Sequence, residues 1–484
     1  MSEAAVIAHQ RKAEMNTSSQ RRGRRRRASL WLAPLAVAAA VGTLAPVGST
    51  PSQAATSGAA EGLVCQTNPS ASFVLTAKEG YITTPDLNSV YMWSYSGGSD
   101  PFQYPGVVLC VNEGDNVTIT LRNTLRVSTS IMFPGINSVR ADGVLAQPEL
   151  TTNSLTKSAP AGGVVTYTFN ASHAGTYLYE SGTNPELQDQ MGLTGVLIVR
   201  PRGFTDAAPY AYNLAGDAPD TNTSYKPGKE FLNFLSEVDP DLHQKVEFAP
   251  DQGAVVFDMT DYTPKYFMNN GRVFPDDTAS NYSASLYNPT TGGQPYSALV
   301  HIQPRSDAPG IDNNPLPAIV RFVNAGPNTY PFHPHGNHDK VIAIDGRALR
   351  ANDLPGGTND LTSDRFSIVM VPGQTADVLV SWVDAQGWDP ASNRIGPDVP
   401  GIENRANGAY WSGSPYLGEL NPLLPGETQF NECGEFYHVA HPHNLVQVST
   451  YSTAMSGMLT MTRVDPPNSV QQATGNHCHE AGEL

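Results

Sequence analysis

Tyr330-Pro331-Phe332-His333-Pro334-His335-Gly336-Asn337-His338 places three of the chain's twelve histidines within six residues. The stretch lies between two apolar runs, Ile319-Val320-Arg321-Phe322-Val323 and Val341-Ile342-Ala343-Ile344-Asp345-Gly346. Extended backbone puts residues i and i+2 on one face. His333 and His335 are therefore expected to point one way and His338 the other. A second segment, Phe436-Tyr437-His438-Val439-Ala440-His441-Pro442-His443, carries another His-x-His pair, His441 and His443. If the two strands are neighbours, four imidazoles meet. Imidazole ligates copper, zinc, nickel and iron. Ordinary polar histidines in loops are the competing reading. Six of the twelve histidines fall in these two segments, and that clustering favours a metal site at His333, His335, His441 and His443.

Outward from this stretch the chain reads as all-β. Short runs rich in Val, Ile, Thr, Tyr and Phe alternate with Gly and Pro turn residues. Val107 to Val111, Asn116 to Arg122, Gly163 to Phe169 and Thr194 to Arg200 read as strands, the pattern of antiparallel sandwiches.

The pattern also repeats. Glu113-Gly114-Asp115-Asn116-Val117-Thr118-Ile119 is followed by Ile131-Met132-Phe133-Pro134-Gly135 and then Pro160-Ala161-Gly162-Gly163. Gly175-Thr176-Tyr177-Leu178-Tyr179-Glu180-Ser181-Gly182 and Met191-Gly192-Leu193-Thr194-Gly195-Val196-Leu197-Ile198-Val199 close the first copy. In the second, Ile319 to Val323 leads to Phe332-His333-Pro334-His335-Gly336. Val371-Pro372-Gly373 to Val380, Gly434-Glu435-Phe436-Tyr437-His438 and Ser456-Gly457-Met458-Leu459-Thr460-Met461 follow in the same order. Two copies of one sandwich are expected.

With these motifs the chain resembles the multicopper oxidase family. The likeness covers most of residues 100–200 and 315–465 and implies tandem cupredoxin-like Greek-key β-sandwich domains. It also implies copper. In that family a trinuclear copper cluster is held by His-x-His motifs from two domains, and electrons enter through a type 1 copper bound by His, Cys, His and often Met. A thiolate with two imidazoles suits a copper that changes oxidation state.

The present sequence departs from the motif at several positions. Met132-Phe133-Pro134-Gly135 stands where the family has His-Trp-His-Gly, and Glu180-Ser181-Gly182 where it has His-Ser-His. Met132 reads as packing and Glu180 as a hydrogen-bonding residue at the domain interface. The type 1 histidine position is Tyr330. The His-Cys-His motif falls on Val439-Ala440-His441 or, shifted by two, on His441-Pro442-His443; neither register holds a cysteine, so no blue copper is expected. Gly457-Met458 matches the axial-ligand position, but without a thiolate Met458 reads as core.

The ends carry other signals. Residues 1–55 read as a cleaved signal: basic Arg11, Lys12, Arg21, Arg22 and Arg24 to Arg27, an apolar Leu30 to Val47, then Ser52-Gln53-Ala54-Ala55. Pro34, Gly42 and Pro46 interrupt the apolar run and argue against a membrane anchor. Arg25-Arg26-Arg27-Ala28-Ser29-Leu30 has some likeness to a twin-arginine signal. The chain is acidic, with net charge −16, and more acidic without the leader. Such a body repels nucleic acid and anionic membranes. Four cysteines in an exported chain favour disulfides, of which Cys65–Cys110 and Cys433–Cys478 are the most local pairings. His477-Cys478-His479 lies in a polar tail and reads as a disulfide partner or tail rather than a metal motif.

The expected organisation is residues 62–202 as domain 1, 203–228 as linker, 229–466 as domain 2 with a loop insertion at 384–433, and 467–484 as a polar tail. Tyr266 to Asp276 resembles a family hairpin. Three functions compete: a divergent copper-dependent oxidoreductase acting on a small molecule or metal ion, a non-enzymatic extracytoplasmic copper binder, and a structural or interaction protein that kept only the fold. No serine, cysteine or paired-carboxylate constellation and no Gly-rich nucleotide loop offers another chemistry.

Overall fold

The computed structural model describes residues 62–214, 216–302, 316–350, 360–382, 436–451 and 453–464. The expected signal, the 384–433 insertion, the 467–484 tail, Cys433 and the His477-Cys478-His479 triplet lie outside the described residues.

The main strands of the first sandwich are β1 (Ser72–Thr83), β2 (Ser89–Gly97), β3 (Val108–Asn112), β4 (Asn116–Asn123), β5 (Val164–Asn170), β6 (Gly175–Glu180) and β7 (Thr194–Arg200). Those of the second are β8 (Glu230–Val238), β9 (Tyr266–Asn269), β10 (Ala318–Asn324), β11 (Tyr330–Pro334), β12 (Asp339–Ile344), β13 (Ile368–Met370), β14 (Thr375–Val380), β15 (Phe436–Pro442) and β16 (Thr460–Val464). Four sheets result. In order they run β2-β1-β4-β5, β3-β7-β6, β9-β8-β10-β14-β12 and β16-β15-β11-β13, with short strands at some edges.

The connectivity is used twice. β1 lies parallel to β4, and β4 antiparallel to β5. β8 lies parallel to β10, and β10 antiparallel to β14. Hairpin partners β6 and β7 in the first copy match β15 and β16 in the second. A polar detail repeats as well. Asn123, at the end of β4, donates from Nδ2 to Val127 O and Ala159 O and accepts from Leu125 N. Asn324, at the end of β10, donates to Asn328 O and Met370 O and accepts from Gly326 N. In each copy one amide side chain satisfies the carbonyls that the departing strand leaves behind.

Three of the apolar clusters fill the space within and between the sandwiches. Phe73, Trp93, Val117, Leu109, Leu197 and Val199 fill the first sandwich. Phe231, Val320, Phe322, Phe332, Met370 and Ala440 fill the second. Between the sandwiches, Val196 and Ile198 meet Leu232, Phe234 and Val323. β7 is buried along its whole length because its alternate side chains serve two different seams. That is why Thr194 to Arg200 reads as a continuous apolar run and not as an in–out alternation.

A buried ionic network ties the sandwiches together. Arg321 donates to Glu230 Oε1 at 2.5 Å and to Asp377 Oδ2 at 3.0 Å, and Arg200 reaches Glu230 Oε1 at 2.5 Å. Thr176, on β6, donates to Asp377 Oδ1 at 2.6 Å, and the Tyr212 hydroxyl donates to Asp377 Oδ2. Residues 203–228, expected as a linker, supply buried Tyr212 and Tyr225 to this junction. They are more than a tether. Cys65 and Cys110 form the first of the two expected disulfides, across a sequence separation of 45. Among the described residues no helix is long and apolar enough to cross a membrane.

Candidate metal centre

β11 and β15 are antiparallel neighbours with Phe332 opposite Pro442, His333 opposite His441 and Pro334 opposite Ala440. Phe332 and Ala440 point into the second core. Strand alternation therefore sends His333 and His441 to the outer face of the fourth sheet. β11 ends at Pro334, but His335 N still donates to Val439 O at 2.9 Å and keeps its side chain on the histidine face. His443 N donates to Pro331 O at 2.8 Å, which anchors the other end of the pair.

The four expected imidazoles come together. Ring centroids are 4.9 Å apart for His333 and His335, 5.0 Å for His335 and His441, 5.1 Å for His333 and His443, and 5.9 Å for His441 and His443. His335 Nε2 and His441 Nε2 face each other at 3.1 Å. His333 Nδ1 lies 2.5 Å from Phe366 O, and His441 Nδ1 lies 2.8 Å from Pro442 O. A carbonyl only accepts, so in both rings Nδ1 carries the proton and Nε2 the lone pair, which in His441 accepts from His335 Nε2. Burial, then the neighbouring imidazoles, lowers His335 to about 4. His441 is lowered for the same first reason. All this favours neutral rings, the ligating form. Among the described residues no three His, Cys, Asp or Glu side chains are already drawn around one point as a metal cage.

The cluster opens into a cavity of about 450 Å³ lined by His333, Pro334, His335, Gly336, Asn337, His338 and Phe366. Here one expectation fails. His338 does not turn to the opposite face but lines the same cavity, its ring 5.7 Å from Phe366. The alternation rule stops at Pro334, because Gly336 adopts φ +81° and bends the chain. Phe366 was not legible as a site residue; it reaches the cavity from the turn before β13, paired to β11.

The two positions where a type 1 thiolate could fall, Ala440 and Pro442, are both buried. Val439 and Ala440 are buried and apolar. Tyr330 is fully buried and donates its hydroxyl to Glu237 Oε2. Met458 packs in the second core, as expected. In the first sandwich Met132 and Glu180 form an isolated antiparallel bridge. Glu180 shares its strand face with Thr176 and Leu178, which look toward the third sheet. Burial raises its carboxyl pKa. Among the described residues no side-chain hydrogen bond to Glu180 is present, so the expected bonding role is not seen.

The fold and this face define a tandem cupredoxin-like sandwich protein with an open histidine cluster on its second domain. Residues 80–203 match the family model for multicopper oxidases. It is 27% identical to copper resistance protein A of Escherichia coli over 294 residues, 57% of this chain and 41% of that protein. It is 33% identical to laccase abr2 of Aspergillus fumigatus over 120 residues, 24% of this chain and 18% of the laccase. The chain thus spans less than half the length of these curated relatives. The blue copper oxidase from Nitrosomonas europaea superposes with a TM-score of 0.47 at 16% identity, covering 82% of this chain and 85% of that one.

Proposed function

We propose that this is an exported copper-binding protein whose His333, His335, His441 and His443 hold the metal. The observation that carries the reading is the pair of backbone carbonyls behind the cluster. Phe366 O and Pro442 O each accept from an Nδ1–H and aim the opposite nitrogen outward. Metal-binding histidines are oriented in this way.

The donor set fits a copper ion. Metal–imidazole bonds of about 2.0–2.1 Å with cis ligands place two nitrogens roughly 3 Å apart, and the His335–His441 pair stands at 3.1 Å. His333 and His443, with ring centroids 5.1 Å apart, would turn about their side-chain torsions to complete the set. Nitrogen-only donors suit copper, zinc or nickel; the family and its relatives favour copper. A bound copper supplies reversible one-electron chemistry. The chain's own part is to present neutral imidazoles, hold two tautomers fixed, and leave one side open to a small molecule or a metal ion. Export is supported by the composition of residues 1–55.

A second reading, oxidation of a small substrate at this centre, is favoured by the open cavity beside the histidines. Among the described residues no free thiolate is present for electron entry, and binding is taken as the primary reading. Elemental analysis with electron paramagnetic resonance tests both. About one or two coppers per chain without intense blue colour is expected, lost in a His333→Ala/His441→Ala variant that still folds. Unchanged copper in that variant sinks the assignment. Turnover of a reductant under air by the loaded protein, absent in the variant, would promote the second reading.

A further inference from the structure

Behind the histidine face, on its core side, lies a second arrangement. A Cβ built on Gly336 would stand 2.8 Å from His438 Nδ1 and 3.0 Å from the Trp382 ring. The His438 and Trp382 rings lie against each other with centroids 4.2 Å apart, tilted at 35°. Asn337 Nδ2 donates to Ser381 O, the residue before Trp382. The bend that carries His335 therefore rests directly on an aromatic pair.

The first sandwich has the same arrangement without the histidines. The bridge Met132–Glu180 corresponds to the pair His333–His441, so Tyr177 corresponds to His438 and Gly135 to Gly336. Gly135 adopts φ +82°, and a Cβ there would stand 3.1 Å from the Tyr177 ring. A flat ring under a left-handed glycine survives in a copy that has no ligand histidines. Its role is thus separable from ligation.

We propose that His438, backed by Trp382, is a positioning residue that holds the Gly336 bend and so sets His335, and is not itself a metal ligand. The site reading above supplies the metal in this inference, but the bend can be tested without it. Ring shape is what the shelf uses, so phenylalanine should replace histidine at 438, as tyrosine does at 177.

The experiment uses the full chain as wild type, His438→Phe, His438→Ala and Trp382→Ala. Hydrogen exchange on metal-free protein reads the bend, including the His335 amide bonded to Val439 O. Faster exchange over residues 335–338 is expected in His438→Ala and Trp382→Ala, and wild-type exchange in His438→Phe. Copper titration should show unchanged stoichiometry and near wild-type affinity for His438→Phe, with about tenfold weaker binding for His438→Ala, as for other groups behind a metal ligand. Loss of copper by His438→Phe with wild-type exchange would make His438 a ligand and overturn the proposal. So would unaltered exchange in both alanine variants. If His438→Ala does not fold, Trp382→Ala and His438→Phe decide the matter. If wild-type protein takes up no copper, the site reading fails while the exchange result still judges the shelf.

Discussion

Met132 and Glu180 are joined by the same antiparallel pairing that joins His333 and His441. Met132 N donates to Glu180 O at 2.7 Å, and Glu180 N donates to Met132 O at 3.2 Å. The first member of each pair lies nine residues after an asparagine, Met132 after Asn123 and His333 after Asn324. The second-domain register is thereby fixed: His441-Pro442-His443 is the counterpart of Glu180-Ser181-Gly182.

Restoring histidines in the first copy should not restore a site. Gly182 has no room for a side chain, since a Cβ there would meet Met132 Cγ at 2.7 Å and Ser130 Oγ at 3.1 Å. The face also looks toward the third sheet. Met132→His/Glu180→His is expected to bind no more copper per chain than wild type, as measured by elemental analysis.

Gly336 should be far less replaceable than Gly373. Both have positive φ, +81° and +74°. Alanine at 373 meets nothing within 4 Å, whereas at 336 it meets His438 and Trp382. Gly373→Ala should cost about 1 kcal/mol from backbone strain alone. Gly336→Ala should cost roughly 1–3 kcal/mol more through overpacking. Denaturant midpoints of the two variants measure the difference.

Glu230 should be the most costly single carboxylate to neutralise. Burial raises its pKa, but the Arg200 and Arg321 guanidiniums overcome that and hold it at about 2. A depressed carboxyl contributes stability at pH above its ordinary value of about 4.5, and loses it as pH falls toward 2. Glu230→Gln leaves Arg321 buried beside a neutral partner and should cost about 3–5 kcal/mol at neutral pH. The variant should also show a flatter acid limb between pH 4.5 and 2 in unfolding experiments.

His335 gives a second, separate pH window in metal-free protein. Its folded pKa of about 4 lies below the ordinary histidine value of about 6.5. The unfolded chain binds the proton first, so stability is full above about 6.5 and declines as pH falls toward 4. His335→Asn should remove part of that slope. Chemical denaturation at a series of pH values, with chelator present, reads it directly.

Much of this architecture is legible in sequence because it is written in short-range code. The strand patterns, the duplication and the His-x-His pairs are local, and a period of two places His333 beside His335. Three features are not local. His338 escapes the alternation because Gly336 bends the chain. Phe366 and Trp382 come from other strands and carry no motif. The choice between two registers for the second histidine pair depended on pairing between distant strands, and the Asn123 and Asn324 anchors that align the copies look like ordinary polar residues.

The strand β7 has a consequence for how the molecule comes apart. Its even side chains belong to the seam between sandwiches and its odd ones to the first sandwich's interior. Neither half can melt while the other keeps its inner wall dry. The duplicated chain should therefore behave as one cooperative folding unit, with a single calorimetric transition. A copy without the histidine pairs of the second still serves as the partition against which the histidine-bearing half is built.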